Sequence, residues 1–335
     1  MSYRSSLSAV LADVVAPAAE VTGEQGRFPR TGVTALGRAG LLGLTVAVAD
    51  GGGGRGCAEA AEVVARTARV CPATAAVLTS HFAAVAALGR YGSSWLRGEI
   101  AAGRHLATLA LGDRGPAGSA PAGEGAGRWP PAPGEGGSTA VRSGDVVALR
   151  ARRRDVVAAG EADSYLWSSG TLESSRSDRS PALSGASRRP AGEGGMTLWV
   201  VPAHAPDLFV PARPYGGGPS GSGTSTVCAD PVLVPADAML GPDGAGRDIV
   251  LGLVRPWLLE LTAAMAAEVS RAAEAAFAEA QFAGARPGGG RSQGAGPGDV
   301  RAGDGRSGDG PAGTARPADG GLAPAGRPAG TLAPT

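Results

Sequence analysis

The chain has 335 residues, enough for two or three domains and a sizeable buried core. Its formal net charge of +1 supplies no global field to steer it to nucleic acid or a membrane surface, and Cys57, Cys71 and Cys228 lack the close paired spacing of a zinc or thioredoxin-like site. The 56 glycines and 26 prolines approach the level that marks low-complexity content, so part of the chain is not expected to pack.

Residues 3–112 read mostly as helix with short breaks. Arg4 precedes an apolar patch that Asp13 interrupts early, a pattern that reads as a cytoplasmic amphipathic helix and not as a membrane span. Gly51, Gly53 and Gly56 satisfy G-x-G-x-x-G after the extended run Leu44 to Ala49 and before a helix at Cys57. The next elements read as two consecutive helices, with no second strand carrying an acidic residue about 20 positions on, so these glycines read as a turn and not as a dinucleotide cradle. A P-loop is excluded because the chain contains no lysine.

From Cys57 to Val70, Ala61, Val64, Ala65 and Ala68 share one face of an amphipathic helix. Thr74 to Leu88 is apolar nearly all round and is expected to be a buried central helix, with His81 a satisfied core residue in it. His105 and His204 do not cluster with it in sequence.

From Leu106 the pattern changes to strands. Candidates are Leu106 to Leu111, Val146 to Leu149, Asp155 to Ala159, Ser164 to Trp167, Thr197 to Val201 and Thr226 to Val234. Between them, Pro116 to Gly137 and Ser168 to Gly195 are long and rich in Gly, Ser, Pro and Arg, and are expected to be disordered. Arg150 to Arg154 reads as a solvated strand edge.

Trp257 to Phe282 is the clearest helix, with Pro256 at its start. Trp257, Leu261, Met265, Val269, Ala273 and Phe277 recur every four residues, while Glu260, Glu268, Arg271, Glu274 and Glu279 mostly point elsewhere, so the stripe needs a partner surface. Gly284 to Thr335 contains 23 Gly or Pro and only Val300, Leu322 and Leu332 as large aliphatics, which predicts a disordered tail.

Four segments in order carry a family resemblance. They are Phe28 to Gly54 (FPRTGVTALGRAGLLGLTVAVADGGGG), Leu88 to Gly112 (LGRYGSSWLRGEIAAGRHLATLALG), the strand-like Arg142 to Leu166, and Val232 to Gly246 (VLVPADAMLGPDGAG). Over about residues 10–283 the chain resembles the acyl-CoA dehydrogenase family. The resemblance implies an α+β multidomain fold: a helical N-terminal domain over residues 1–108, a middle β domain over 109–241 with disordered loops near 116–137 and 168–195, and a truncated C-terminal helical region over 246–283, followed by the tail 284–335.

Members of that family bind FAD between the middle domain and a C-terminal four-helix bundle. A glutamate removes the proton α to an acyl thioester while the β hydrogen leaves as hydride to the flavin. By resemblance, Leu111, Gly112, Val156 and Val157 would hold the flavin and Ser119 would contact substrate, because the family's flavin loop falls on Gly112 to Ala120 and its W-I-T strand on Asp155, Val156 and Val157.

Gly112 replaces that loop's threonine, Asp155 the tryptophan and Val157 the strand threonine, and no counterpart of the catalytic glutamate is found. The expectation is therefore an acyl-CoA-dehydrogenase-like oxidoreductase with impaired or no activity as the chain stands, cytoplasmic, and a homo-oligomer or the partner of a paralogous subunit, with no nucleic-acid or membrane partner and no metal. Two alternatives stay open: a non-catalytic subunit and a flavin monooxygenase component of the same fold.

Overall fold

The computed structural model describes residues 2–111, 138–174, 195–211 and 217–284. Helices come first: α1 (Tyr3–Val10), α2 (Ala16–Gln25), α3 (Arg30–Arg38), α4 (Cys57–Ala68), α5 (Pro72–Tyr91) and α6 (Ser94–Ala101). The hydroxyls of Ser2 and Ser93 cap α1 and α6 by accepting the backbone N–H groups of Ser5 and Leu96. α5 is the expected central helix. Leu78, Phe82, Val85 and Leu88 are buried, and the helix packs against α4 and the first strand.

α1 and α2 run together through a π-helical segment, Leu11–Val15, two residues before Pro17. The same arrangement recurs later, where Val250–Val254 is π-helical two residues before Pro256. In each case the proline offers no N–H to the carbonyl four residues before it, on Asp13 or Gly252, and a widened turn relieves the ring's clash with that carbonyl. Pro256 is thus inside a continuous helix and does not begin one. The helix opens at α7 (Gly246–Ile249) and continues as α8 (Arg255–Gly284).

Two mixed sheets follow the first helices. One has the order β1 (Ala107–Ala110), β4 (Ser164–Gly170), β6 (Met196–Pro202), β9 (Met239–Leu240). The other has the order β5 (Leu172–Ser174), β2 (Thr139–Ser143), β3 (Val146–Val156), β8 (Ser225–Pro235), β7 (Leu208–Phe209). β1 runs parallel to β4 and β3 antiparallel to β8, and the sheets meet along β1, β3 and β4. Trp167, Trp199, Leu149 and Val227 are buried in the core they share with the helices.

Several expectations are corrected. The run Leu44 to Ala49 is not extended but a series of turns ending in a 3-10 turn, Val48–Asp50. Its chain folds back on itself, since Gly53 N–H donates to Gly43 O and Arg55 N–H to Leu44 O, both at 3.0 Å. Gly52 and Gly53 permit this approach, because a Cβ on either would lie 2.3 or 2.6 Å from the carbonyl oxygen of Val46 or Leu44.

The buried face of α4 is Ala60, Val63, Val64, Thr67 and Ala68, rotated from the expected one, and Ala61 and Ala65 are only half-buried. The two strands expected at Val146 to Leu149 and Asp155 to Ala159 are one strand, β3, which ends at Val156. Its pairing with β8 shifts register between Arg153 and Val156, where Asp155 takes φ 55°.

The expected solvation of Arg150 to Arg154 holds for Arg150, Arg152 and Arg154 and fails for Arg153, and β3 is an interior strand between β2 and β8 instead of the expected edge. Strand alternation turns Arg153 inward, where it is buried with its guanidinium 5.2 Å from the Trp167 ring centroid and donates to Ser168 O. Ser168 to Ser174, expected to be loop, belongs to β4 and β5. Residues 112–137 and 175–194, including most of the two expected loops, and the tail from 285 onward lie outside the described residues.

The stripe on α8 finds part of its partner surface within the chain. Leu261 is buried and Trp257 and Met265 are packed on the core where the helix lies against α4 and α5, whereas Val269 and Phe277 are exposed. Glu268, expected to point away from that surface, is buried. Arg69 beside the end of α4 donates to its two carboxylate oxygens at 2.6 and 2.9 Å, and Arg271 pairs with it as well.

Among the described residues, three helical runs are long and apolar enough to cross a membrane by length and composition alone: Tyr3–Gln25, Pro72–Tyr91 and Gly246–Ala278. In Pro72–Tyr91, 83% of the most apolar window is buried inside the fold.

Candidate functional site

β1 is an edge strand, so alternate backbone N–H groups along it face away from β4. Two adjacent side chains of α5 take the place of the missing neighbour. His81 Nδ1 accepts the Ala107 N–H at 3.2 Å, and Ser80 Oγ accepts the Leu109 N–H at 3.0 Å. Acceptance at Nδ1 places the imidazole proton on Nε2, which donates to Leu42 O at 3.0 Å. Burial lowers the His81 pKa to about 4, although the Leu42 and Ala107 carbonyls beside the ring favour its charged form, so the ring is neutral.

The hydroxyl bonds run in one direction. Thr108 Oγ1 donates its proton to Val157 O at 2.8 Å, so the 2.6 Å contact between Ser80 and Thr108 must be donated by Ser80. The relay reads Leu109 N–H to Ser80, Ser80 to Thr108, Thr108 to Val157 O, and each link polarises the next. It ties α5 and β1 to the chain leaving β3.

The relay ties Val157 to β1, the strand that Leu111 follows. Leu111, directly after β1, and Val157, directly after β3, are both half-buried and both connect to β1. Leu111 O accepts the Ser168 hydroxyl at 3.1 Å, and Ser168 O is in turn held by Arg153. The Val156 side chain is in the core, at 1% exposure, so only its backbone is free to border a ligand. Gly112 and Ser119 lie outside the described residues.

A flavin placed here would meet backbone and aliphatic groups at Leu111 and Val157. Residues 155–157 provide neither a ring nor a hydroxyl, and Asp155 is exposed in the left-handed region. Residues 155–157 thus offer a flavin less side-chain grip than the family motif would give.

A cleft of about 330 Å³ lies at the end of β1 opposite Leu111. α3 forms one wall with Arg30, Thr34 and Arg38 at successive turns of one face, and the chain from Ala102 to Leu106 forms the other. The walls touch through glycines. Gly103 has φ 70°, and a Cβ on it would fall 2.0 Å from Gly37 O.

His105 lines this cleft, with Nε2 2.7 Å from Ser164 Oγ and its ring edge-on to Trp95. Burial lowers the pKa of His105 although Asp163 and Glu99 oppose the shift. Sequence reasoning missed this site because its residues come from three separate segments. The four-residue spacing of Arg30, Thr34 and Arg38 was the available signal.

Residues 2–102 match the family model described as acyl-CoA dehydrogenase, N-terminal domain. A comparison with curated proteins gives no match. Butyryl-CoA dehydrogenase from Megasphaera elsdenii is 18% identical, with TM-score 0.65 over 86% of this chain and 70% of that one. FkbI, described for biosynthesis of a methoxymalonyl extender unit, is 23% identical, with TM-score 0.62 over 84% of this chain and 71% of that one. FMN-bound TdsC from Paenibacillus sp. A11-2, elsewhere described as a dibenzothiophene monooxygenase, is 18% identical, with TM-score 0.64 over 85% of this chain and 66% of that one. At these identities the likeness shows a shared fold.

Proposed function

Because this chain adopts the acyl-CoA dehydrogenase fold and carries that family's N-terminal domain over residues 2–102, we propose that it is a flavin-binding protein of the oxidoreductase type. The cofactor would be FAD and the reaction α,β-dehydrogenation of an acyl thioester, weakened relative to its relatives. The observation that carries this reading is the relay from Ser80 through Thr108 to Val157 O, which ties Val157, after β3, to β1, the strand that Leu111 follows. A flavin, when bound, supplies the hydride acceptor.

The chain's own residues would fix its position. Leu111 and Val157 border the ring by backbone, and His81 and Ser80 keep β1 from shifting. The expected weakness rests on Asp155 and Val157, where the resemblance asks for an aromatic ring and a hydroxyl. A cytoplasmic location belongs to the same proposal, supported by free thiols at Cys57, Cys71 and Cys228. So does a homo-oligomer or a paralogous partner, which would cover Leu259 and Phe277 on α8, 60% and 68% exposed.

The similarity to FMN-bound TdsC supports a second reading, a flavin monooxygenase component using reduced flavin. Visible absorbance of the full-length protein, incubated with FAD or FMN and then gel-filtered, tests both readings. Retained flavin bleached by butyryl-CoA supports the dehydrogenase. Retained flavin that butyryl-CoA leaves unchanged, but that consumes oxygen once reduced, supports the monooxygenase. A colourless protein defeats both and leaves the non-catalytic subunit.

A further inference from the structure

The cleft between α3 and the α6–β1 turn joins three arginines from two facing walls: Arg30 and Arg38 on the helix and Arg104 opposite. Arg30 is tethered to Glu161 and Arg104 to Glu99 outside the lining, whereas Arg38 makes no ion pair among the described residues. Asp163 is the one carboxylate in the lining, and its Oδ2 is occupied in accepting the Leu106 N–H at 2.7 Å. Among the described residues His105 hydrogen-bonds through Nε2, to Ser164, and Nδ1 is the ring nitrogen offered to a ligand. Val33, Leu42, Ala102 and Leu106 supply apolar surface between the cations.

The geometry points to a binding site for a small molecule that carries a phosphate group. Guanidinium groups on two walls suit a tetrahedral oxyanion, which takes hydrogen bonds from several directions, better than a planar carboxylate, which is satisfied by one fork. The cleft volume of about 330 Å³ exceeds that of a bare phosphate and is at the small end for ligand pockets, so an organic portion would rest on the apolar residues. The Gly37–Gly103 contact fixes the separation of the walls, so little conformational freedom is lost on binding.

The site is independent of the flavin reading. Leu106, in the cleft, and Leu111, at the flavin edge, are five residues apart along an extended chain, a span of about 17 Å.

The test is calorimetric titration of the full-length protein with pyrophosphate, inorganic phosphate and succinate at constant ionic strength. Pyrophosphate is expected to bind at one saturable site, and Arg38→Gln and Arg104→Gln are each expected to weaken it about tenfold, as for loss of one charge-assisted contact. Arg150→Gln, which removes an exposed arginine on β3 paired with Asp230 of β8, should leave binding unchanged. Absence of saturable binding overturns the proposal, as does an equal loss in Arg150→Gln or succinate binding as tightly as pyrophosphate. Loss of flavin retention in Arg38→Gln would assign the cleft to the flavin site and overturn its independence, whereas a wild-type protein that retains no flavin yet binds pyrophosphate sinks only the flavin reading.

Discussion

His81 accepts the backbone N–H of Ala107 at 3.2 Å from inside a helix, and so serves as half of a neighbouring strand for β1. The other half is Ser80, one residue earlier. A fully buried imidazole in this role must stay neutral, which makes the fold sensitive to acid. The folded-state pKa of about 4 lies below the ordinary 6.5, so the unfolded chain binds the proton more readily between those values. Stability from this group is complete above pH 6.5 and declines toward pH 4, by about 3 kcal/mol in total. Urea unfolding at pH 7.5 and pH 5 should show the loss, and His81→Phe should remove most of that pH dependence while lowering stability at both.

Thr108→Val keeps the branched shape of the side chain and replaces its hydroxyl with a methyl group. Val157 O then loses its donor and the Ser80 hydroxyl its acceptor, for an expected cost of about 1–3 kcal/mol. The same variant is expected to retain less flavin than wild type after gel filtration. Full retention would separate the relay from the cofactor edge.

Gly103 and Gly89 should respond oppositely to alanine. At Gly103 the backbone is left-handed and Gly37 O occupies the Cβ position, so Gly103→Ala should cost at least about 2 kcal/mol. At Gly89, in α5, nothing lies within 4 Å of the added carbon, and Gly89→Ala should stabilise by about 0.5–1 kcal/mol. Thermal unfolding of the two variants decides both signs.

Glu268 anchors α8 to the end of α4 through Arg69, whose hydrogen bonds hold the carboxyl below its ordinary pKa. A carboxylate with a lowered folded-state pKa stabilises above its unfolded value and loses that contribution as the pH falls through the folded one. Glu268→Gln should speed amide exchange along α8 at neutral pH. Exposed Glu274→Gln should not, and equal exchange in both variants would show that apolar packing alone holds the helix.

Much of the helical half was legible because its signals are local. The apolar run in α5, the amphipathic α4 and the long α8 each declare themselves through spacing, and His81 reads as a core residue because an apolar helix surrounds it. The ordered motifs from Phe28 to Gly246 carried the fold family. Strand ends were less legible: β3 reads as two strands because the register shift at Asp155 depends on pairing with β8 and not on the residues themselves.

The sequence by itself determined most of the helices and several strands, the family resemblance and, through that resemblance, the positions Leu111 and Val157 where a cofactor edge is expected, since local spacing and ordered motifs carry these signals. Only the tertiary structure decided that Arg153 is buried while its neighbours are solvated, that Glu268 faces inward to Arg69, and that arginines at 30, 38 and 104 face one cleft. The physical reason is common to all three. The environment of a charged side chain is supplied by segments distant in sequence, and no local periodicity records which of them will meet.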